Sequence, residues 1–192
     1  QQIWAVHQDN IKTYGKHLKP ISIVVCASIA EAIIEWNELV KFISNIEKID
    51  FEEAAEKVIW VTSGLPTSTT ADGQRIAPIL TKDKKERGGE TIRKENLKLL
   101  KTVDERDNPV EWIVSVSMLT EGWDVKNVFQ VVPHKQRAFN SKLLIAQVLG
   151  RGLRIPQALK DAIGAENIYL KVNNHEKWNG EIQKLYNEIL EL

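Results

Sequence analysis

Ile21-Ser22-Ile23-Val24-Val25-Cys26-Ala27-Ser28-Ile29-Ala30-Glu31-Ala32 is the stretch on which the fold turns. Residues 21–27 are short, almost continuously apolar and rich in β-branched side chains. That is the pattern of a strand buried on both faces, because a strand with one wet face alternates apolar with polar. Ser28 then offers a hydroxyl at a helix start, and Glu31 follows three residues later in capping-box spacing. Beyond it Ile29, Ile33, Trp36, Leu39, Val40 and Ile43 recur at helical intervals. A buried strand running straight into an amphipathic helix is the building unit of a parallel sheet.

The unit recurs downstream. Val58-Ile59-Trp60-Val61-Thr62 reads as a second strand, and residues 110–116, 128–132 (closed by Pro133) and 168–172 read as three more. Helical periodicity fills residues 91–100 and 141–149, continues from Gly150 to Arg154, and returns in 178–192 with Ile182, Leu185, Ile189 and Leu192 on one side. Residues 3–18 are weakly helical and are punctuated by Lys19-Pro20. The expected fold is α/β, a three-layer α/β/α sandwich on a mostly parallel sheet, forming one domain over residues 1–192. Residues 63–89, rich in Thr, Gly, Pro and Lys, are long for a loop in such a domain and are expected to be a flexible insertion. Ligands of parallel sheets bind beyond the carboxyl ends of the strands, so chemistry is expected after Ala27, Thr62, Val116 and Val132.

Composition narrows the function classes. Lys plus Arg is 26 and Asp plus Glu is 26, so any nucleic-acid contact must come from a local patch or backbone amides rather than a global field. The single cysteine, Cys26, excludes an internal disulfide and a zinc site of several thiolates, and its apolar surroundings make it a small core residue. The sequence has no run of roughly 20 apolar residues and no signal segment, so the expected compartment is the cytoplasm. The start at Gln1-Gln2 suggests a piece of a longer protein. His7, His17, His134 and His175 lack metal-ligand spacing, which leaves surface or capping roles. Neither a Ser-His-Asp nor a Cys-His arrangement stands out, and the carboxylates form no nuclease-like cluster. His134-Lys135-Gln136-Arg137 reads as a solvated basic turn at the ligand edge, able to touch nucleic acid.

Two segments carry the candidate chemistry. In Gln147-Val148-Leu149-Gly150-Arg151-Gly152-Leu153-Arg154, the two arginines share a helix face and can grip a phosphate together. Gly150 and Gly152 cost helix stability and open the backbone beside Arg151 to close approach. The same spacing also suits an amphipathic surface helix with two solvated arginines. In Leu119-Thr120-Glu121-Gly122-Trp123-Asp124-Val125-Lys126-Asn127-Val128, Gly122 can turn backbone amides toward a phosphate and Asp124 can accept from ribose hydroxyls. A polar turn joining two strands fits that segment equally well.

Taken together, the two segments resemble motifs V and VI of the second RecA-like lobe of superfamily 2 helicases. Thr120 to Val128 resembles motif V, and the Q-x-x-G-R-x-x-R run from Gln147 to Arg154 resembles motif VI. The variants Ser117-Met118-Leu119-Thr120-Glu121-Gly122-Trp123-Asp124 and Gln147 to Pro156 are most similar to the restriction (Res) subunit of type III restriction enzymes and related DEAD/DEAH-box helicases. Residues 20–32 resemble the motif IV region and residues 172–178 the strand after motif VI. The likeness spans nearly the whole chain, is sharpest over 113–156 and is thinnest over 63–89.

The resemblance implies a role for each matching residue. Arg151 and Arg154 would act as arginine fingers on the γ-phosphate of ATP bound by another lobe, and Gln147 would orient the attacking water. Gly122, Asp124 and Gly150 would line the nucleotide side of the cleft. Ser28, Ser117 and Thr120 would touch nucleic-acid phosphates, although hydroxyls at strand ends also serve as helix caps. ATP and magnesium are the implied cofactors, held mainly by an N-terminal RecA-like lobe. The implied partners are that lobe, DNA in preference to RNA, and a modification subunit. This chain lacks the G-x-x-x-x-G-K-[ST] loop and any D-E-x-H or D-E-A-D run, and Tyr14-Gly15-Lys16 resembles the former only superficially. It is therefore expected neither to hold ATP tightly nor to hydrolyse it alone. Two rivals remain: a regulatory or interaction module that keeps the lobe without motor function, and a small nucleotide-binding α/β protein acting alone.

Overall fold

The computed structural model describes residues 1–65, 89–116, 126–134 and 156–173. The elements run α1 (Gln2–Tyr14), β1 (Ile21–Cys26), α2 (Ile29–Glu47), α3 (Phe51–Glu56), β2 (Val58–Val61), α4 (Gly89–Lys101), β3 (Trp112–Val116), β4 (Val128–Pro133), α5 (Gln157–Ile163) and β5 (Lys171–Val172). A single 3-10 turn, Ala165–Asn167, lies between the last two. The five strands form one sheet in the order β2-β3-β1-β4-β5. Every pairing between neighbours is parallel.

The alternation of side chains along β1 explains the three layers. Ile21, Ile23 and Val25 point to one face, where Ile59, Val61, Ile113 and Val131 join them under Leu97, Leu99 and Leu100 of α4. Val24 and Cys26 point to the other face, with Val58, Trp60, Trp112 and Val114. There they meet Ala32, Ile33, Val40 and Ile43 of α2, Ala54 of α3, and Ile3 and Trp4 of α1. The strands must be apolar throughout because both of their faces are covered. Cys26 is a buried core residue, as its surroundings require.

An irregularity in β4 builds a satellite core. Ile21 pairs with Val128 but Ser22 pairs with Gln130, so Phe129 is the extra residue of a bulge. It stacks on Tyr14 at a ring-centroid distance of 4.5 Å and packs against Leu159 of α5. Gly15, directly after α1, has no phosphate-cradling geometry: its N–H donates to the Ile11 carbonyl, and a Cβ there would collide with that oxygen. Gly164 ends α5 at a φ of 80°, a conformation that glycine adopts without steric cost.

The β2 edge of the sheet is blocked. Along β2 the outward carbonyls are those of Val58, Trp60 and Thr62. Trp36 Nε1 donates to Val58 at 2.8 Å, Asn96 Nδ2 to Trp60 at 2.9 Å and Arg93 to Thr62 at 3.5 Å. Side chains from α2 and α4 thus occupy the acceptors that another strand would need.

The elements depart from the periodicity reading in three places. The third strand starts at Trp112 rather than residue 110, because Asn108 Oδ1 accepts the Val110 N–H and holds that residue in a turn. The fifth strand is limited to Lys171–Val172, because the Tyr169 N–H goes to the Tyr14 hydroxyl instead of the sheet. Helices α3 and α5 were not legible from periodicity, being only 6 and 7 residues long. α3 is set by its cap, where Asp50 Oδ1 accepts from Glu53 N at 2.7 Å. The helices expected over 141–154 and 178–192, and most of the expected insertion at 63–89, lie outside the described residues. No helix among the described residues is long and apolar enough to cross a membrane.

Candidate functional site at the carboxyl edge of the sheet

The chain leaves β1 toward β2 on one side of the sheet and leaves β4 toward β5 on the other. β1 and β4 are neighbours, so their carboxyl ends flank a topological switch point, the place where open α/β sheets bind ligands. Two short segments stand there. Ala27-Ser28 leads from β1 into α2, and His134 follows β4 with its backbone N–H on the Val25 carbonyl at 2.8 Å.

Ser28 is the one expected site residue within the described part of the chain. It is the N-cap of α2, with extended backbone and its Oγ accepting from Glu31 N at 3.2 Å. The capping geometry matches the spacing expected from the sequence, and the exposed hydroxyl has its helix-capping bond regardless of any ligand. Gln147, Gly150, Arg151 and Arg154, together with Ser117, Thr120, Gly122 and Asp124, lie outside the described residues. Ser28→Ala is expected to lower the unfolding free energy by about 1 kcal/mol, the ordinary worth of a helix cap, read by urea denaturation. A loss of nucleic-acid affinity with no change in stability would assign the hydroxyl to ligand contact instead.

The rest of this edge is charged in both signs. His134 Nδ1 sits 3.2 Å from Glu35 Oε2, with both side chains half-buried, so His134 is tied to α2 rather than standing in a free basic turn. At the end of β2, Thr62 Oγ1 donates to the Gly64 carbonyl at 2.7 Å. Arg93 grips Glu90 through Nε and Nη2 at 3.0 and 2.8 Å. That hydrogen bond holds the exposed Glu90 carboxyl below its usual range. Among the described residues no group of His, Cys, Asp and Glu is arranged to hold a metal ion. The described edge can present hydroxyl and amide donors to an anion, and it contains no nucleophile paired with a base.

Sequence reasoning missed a second polar cluster, at the amino end of the sheet under α1. His7 is wholly buried there, which corrects the expectation of a surface or capping role. Its Nδ1 is 2.7 Å from Ser22 Oγ and its Nε2 is 3.2 Å from Glu111 Oε2. Ser22 Oγ donates to Gln130 Oε1 at 2.7 Å, and Gln130 Nε2 donates to the Ile3 carbonyl at 3.0 Å and to Asn173 Oδ1 at 2.7 Å. Lys57 Nζ bonds Glu47 at 2.5 Å and stands 3.8 Å from Glu111. A serine, a histidine and a carboxylate are in line here, but Ser22, His7 and Gln130 are fully buried and the hydroxyl proton is committed to Gln130. The arrangement therefore ties α1 to the sheet rather than offering a nucleophile to a substrate. The signal in the sequence was Ser22 and Gln130, polar residues inside runs otherwise apolar, since buried polar groups require partners.

Burial pushes the Glu111 carboxyl upward, but the His7 hydrogen bond and the charges of Lys57, His7 and Lys19 outweigh it, and the net shift is below the ordinary 4.5. A depressed folded value means that Glu111 adds stability above its unfolded value, and that this stability is lost as pH falls through the folded one. Unfolding free energy measured against pH on the acid side of 4.5 is expected to fall more steeply for the wild type than for Glu111→Gln. Equal slopes would mean that Glu111 is not ionised in the folded chain.

No protein-family model matches the chain, and no curated protein matches it. The described residues define an α/β protein with a five-stranded all-parallel sheet, helices on both faces and a switch point between β1 and β4.

Proposed function

We propose that this chain is the second RecA-like lobe of a superfamily 2 helicase or translocase, most similar to the restriction subunit of type III restriction enzymes. The observation that carries the reading is positional. In sequence, Ser117 to Asp124 follow Val116, the last residue of β3, and parallel α/β sheets as a class bind their ligands beyond that edge. In this reading ATP and magnesium sit on a separate N-terminal lobe. Arg151 and Arg154 complete the site across the cleft, Gln147 orients water, and Gly122, Asp124 and Gly150 line the nucleotide side. Ser28, Ser117 and Thr120 face the nucleic-acid backbone, with DNA preferred over RNA and a modification subunit as a further partner. We place this work in the cytoplasm.

ATP binding closes the two lobes, and the fingers stabilise the charge that develops as the γ-phosphoryl group transfers. Hydrolysis reopens the cleft, and alternating grip on the strand moves the motor. The test is ATP turnover, with and without DNA, of a protein that joins this lobe to an ATP-binding lobe. DNA-stimulated turnover that needs both lobes is expected, together with negligible ATP binding by the chain alone. Micromolar nucleotide binding by the isolated chain would instead make it a nucleotide-binding protein in its own right. Absence of stimulated turnover in the joined protein would leave a lobe that serves only as an interaction module.

A further inference from the structure

The hydrogen-bond directions under α1 can be followed from one fixed point. The Ile3 carbonyl can only accept, so the Gln130 group facing it at 3.0 Å is its NH₂. Gln130 Oε1 then faces Ser22, whose single hydroxyl proton must go to it. With that proton committed, Ser22 Oγ can only accept from His7, so His7 Nδ1 carries a proton. The remaining ring nitrogen, Nε2, faces Glu111 Oε2 at 3.2 Å. Without a further proton, that contact would set one lone pair against another.

We propose that the docking of α1 on the sheet is gated by one proton held between His7 Nε2 and Glu111 Oε2, so that α1 is clamped while the proton is present and loosened when it is lost to solvent. Loss of the proton leaves two ways to rearrange. Either Nε2 and Glu111 face each other as acceptors, or the ring changes tautomer and Ser22 turns its proton to Nδ1, stripping Gln130 Oε1 of its donor. Each leaves a buried acceptor unmet, because His7, Ser22 and Gln130 have no access to water.

Charged groups of both signs surround the pair. Lys57 stands 3.8 Å from Oε1 of Glu111, the carboxylate oxygen that His7 does not face, and Glu47 neutralises Lys57. Lys19 lies near enough to act on Glu111 by charge, and its own ammonium donates to the Asn108 carbonyl at 2.6 Å. On α1 itself, Asp9 is engaged by Lys171 of β5 and Trp4 Nε1 reaches Glu47 at 3.4 Å. The Trp112 ring, 4.6 Å from His7, covers the imidazole without offering a donor to it.

The sign follows. The clamp is intact at lower pH, where the proton is bound, and weakens as pH rises and the proton leaves. The experiment uses the 192-residue chain. His7 is assigned in ¹⁵N-edited NMR by its absence from His7→Gln, and its ring nitrogens are followed from about pH 6 to about pH 9, a range that brackets ordinary imidazole titration. Amide exchange along α1, corrected for the intrinsic pH dependence, is followed in parallel. The expected result is a protonated Nδ1 throughout the docked state and an opening of α1 that increases about ten-fold or more as the second ring proton is lost. In Glu111→Gln the amide can donate to a neutral Nε2, so the pH dependence of α1 opening should vanish while the helix stays docked. A docked His7 with a bare Nδ1, an opening that ignores pH, or a Glu111→Gln variant that keeps the wild-type dependence would each overturn the proposal. Should that variant not fold, the ring nitrogens and α1 exchange of the wild type decide the matter alone.

Discussion

Replacing Arg151 or Arg154 by alanine, in a protein that joins this lobe to an ATP-binding lobe, is expected to lower nucleic-acid-stimulated ATP turnover by about three to five powers of ten. The size follows from where a finger acts. A guanidinium that meets the γ-phosphate as charge builds in the transition state contributes little to ground-state binding, so its loss falls on turnover rather than on affinity. ATP affinity measured on the same variants should therefore change far less. Lysine in place of either arginine is expected to restore little, because it is a point charge and lacks the planar fork that grips two phosphate oxygens. Turnover within a few-fold of wild type would leave the α/β fold untouched and remove the motor mechanism. Equal losses in turnover and affinity would point instead to a residue that merely holds nucleotide.

Trp112→Ala is expected to lower the unfolding free energy by about 3–5 kcal/mol, measured by urea denaturation. Against a total of about 5–15 kcal/mol for a domain, that is a large share. Trp112 is only 1% exposed and lies in β3, between β1 and β2, paired with Ser22 on one side and Val58 on the other. Its ring also covers His7 at a centroid distance of 4.6 Å, so truncation opens a cavity beside the buried polar line as well as in the apolar core. Trp112→Phe, which keeps an aromatic ring, should lose less. A cost below about 1 kcal/mol for the alanine variant would mean that the core closes over the gap, contrary to the behaviour of well-packed interiors.

The arginine result depends on the resemblance carried by residues 120–128 and 147–154, of which only Lys126, Asn127 and Val128 fall within the described structure. The Trp112 result rests on packing that is directly described. At the carboxyl edge, Ser28 is the N-cap of α2. Its capping bond to Glu31 is the one that the spacing called for, while a role toward nucleic acid remains the content of the proposal.

The residues alone determined the class of fold, because strand burial is written locally. Runs such as 21–26 and 58–61 are apolar on both parities, and a strand of that kind is stable only with helices over both faces. Periodicity likewise determined α2 and α4, and the Ser28–Glu31 spacing determined where α2 starts. The order β2-β3-β1-β4-β5, the bulge that turns Phe129 onto Tyr14, and the meeting of His7 with Glu111, 104 positions along the chain, were decided only by the tertiary structure. The physical reason is one of range. Hydrophobic period and capping depend on residues a few positions apart, whereas strand order and buried hydrogen-bond partners depend on which distant segments the closed core brings together, and on the need of each buried donor and acceptor to find a partner there.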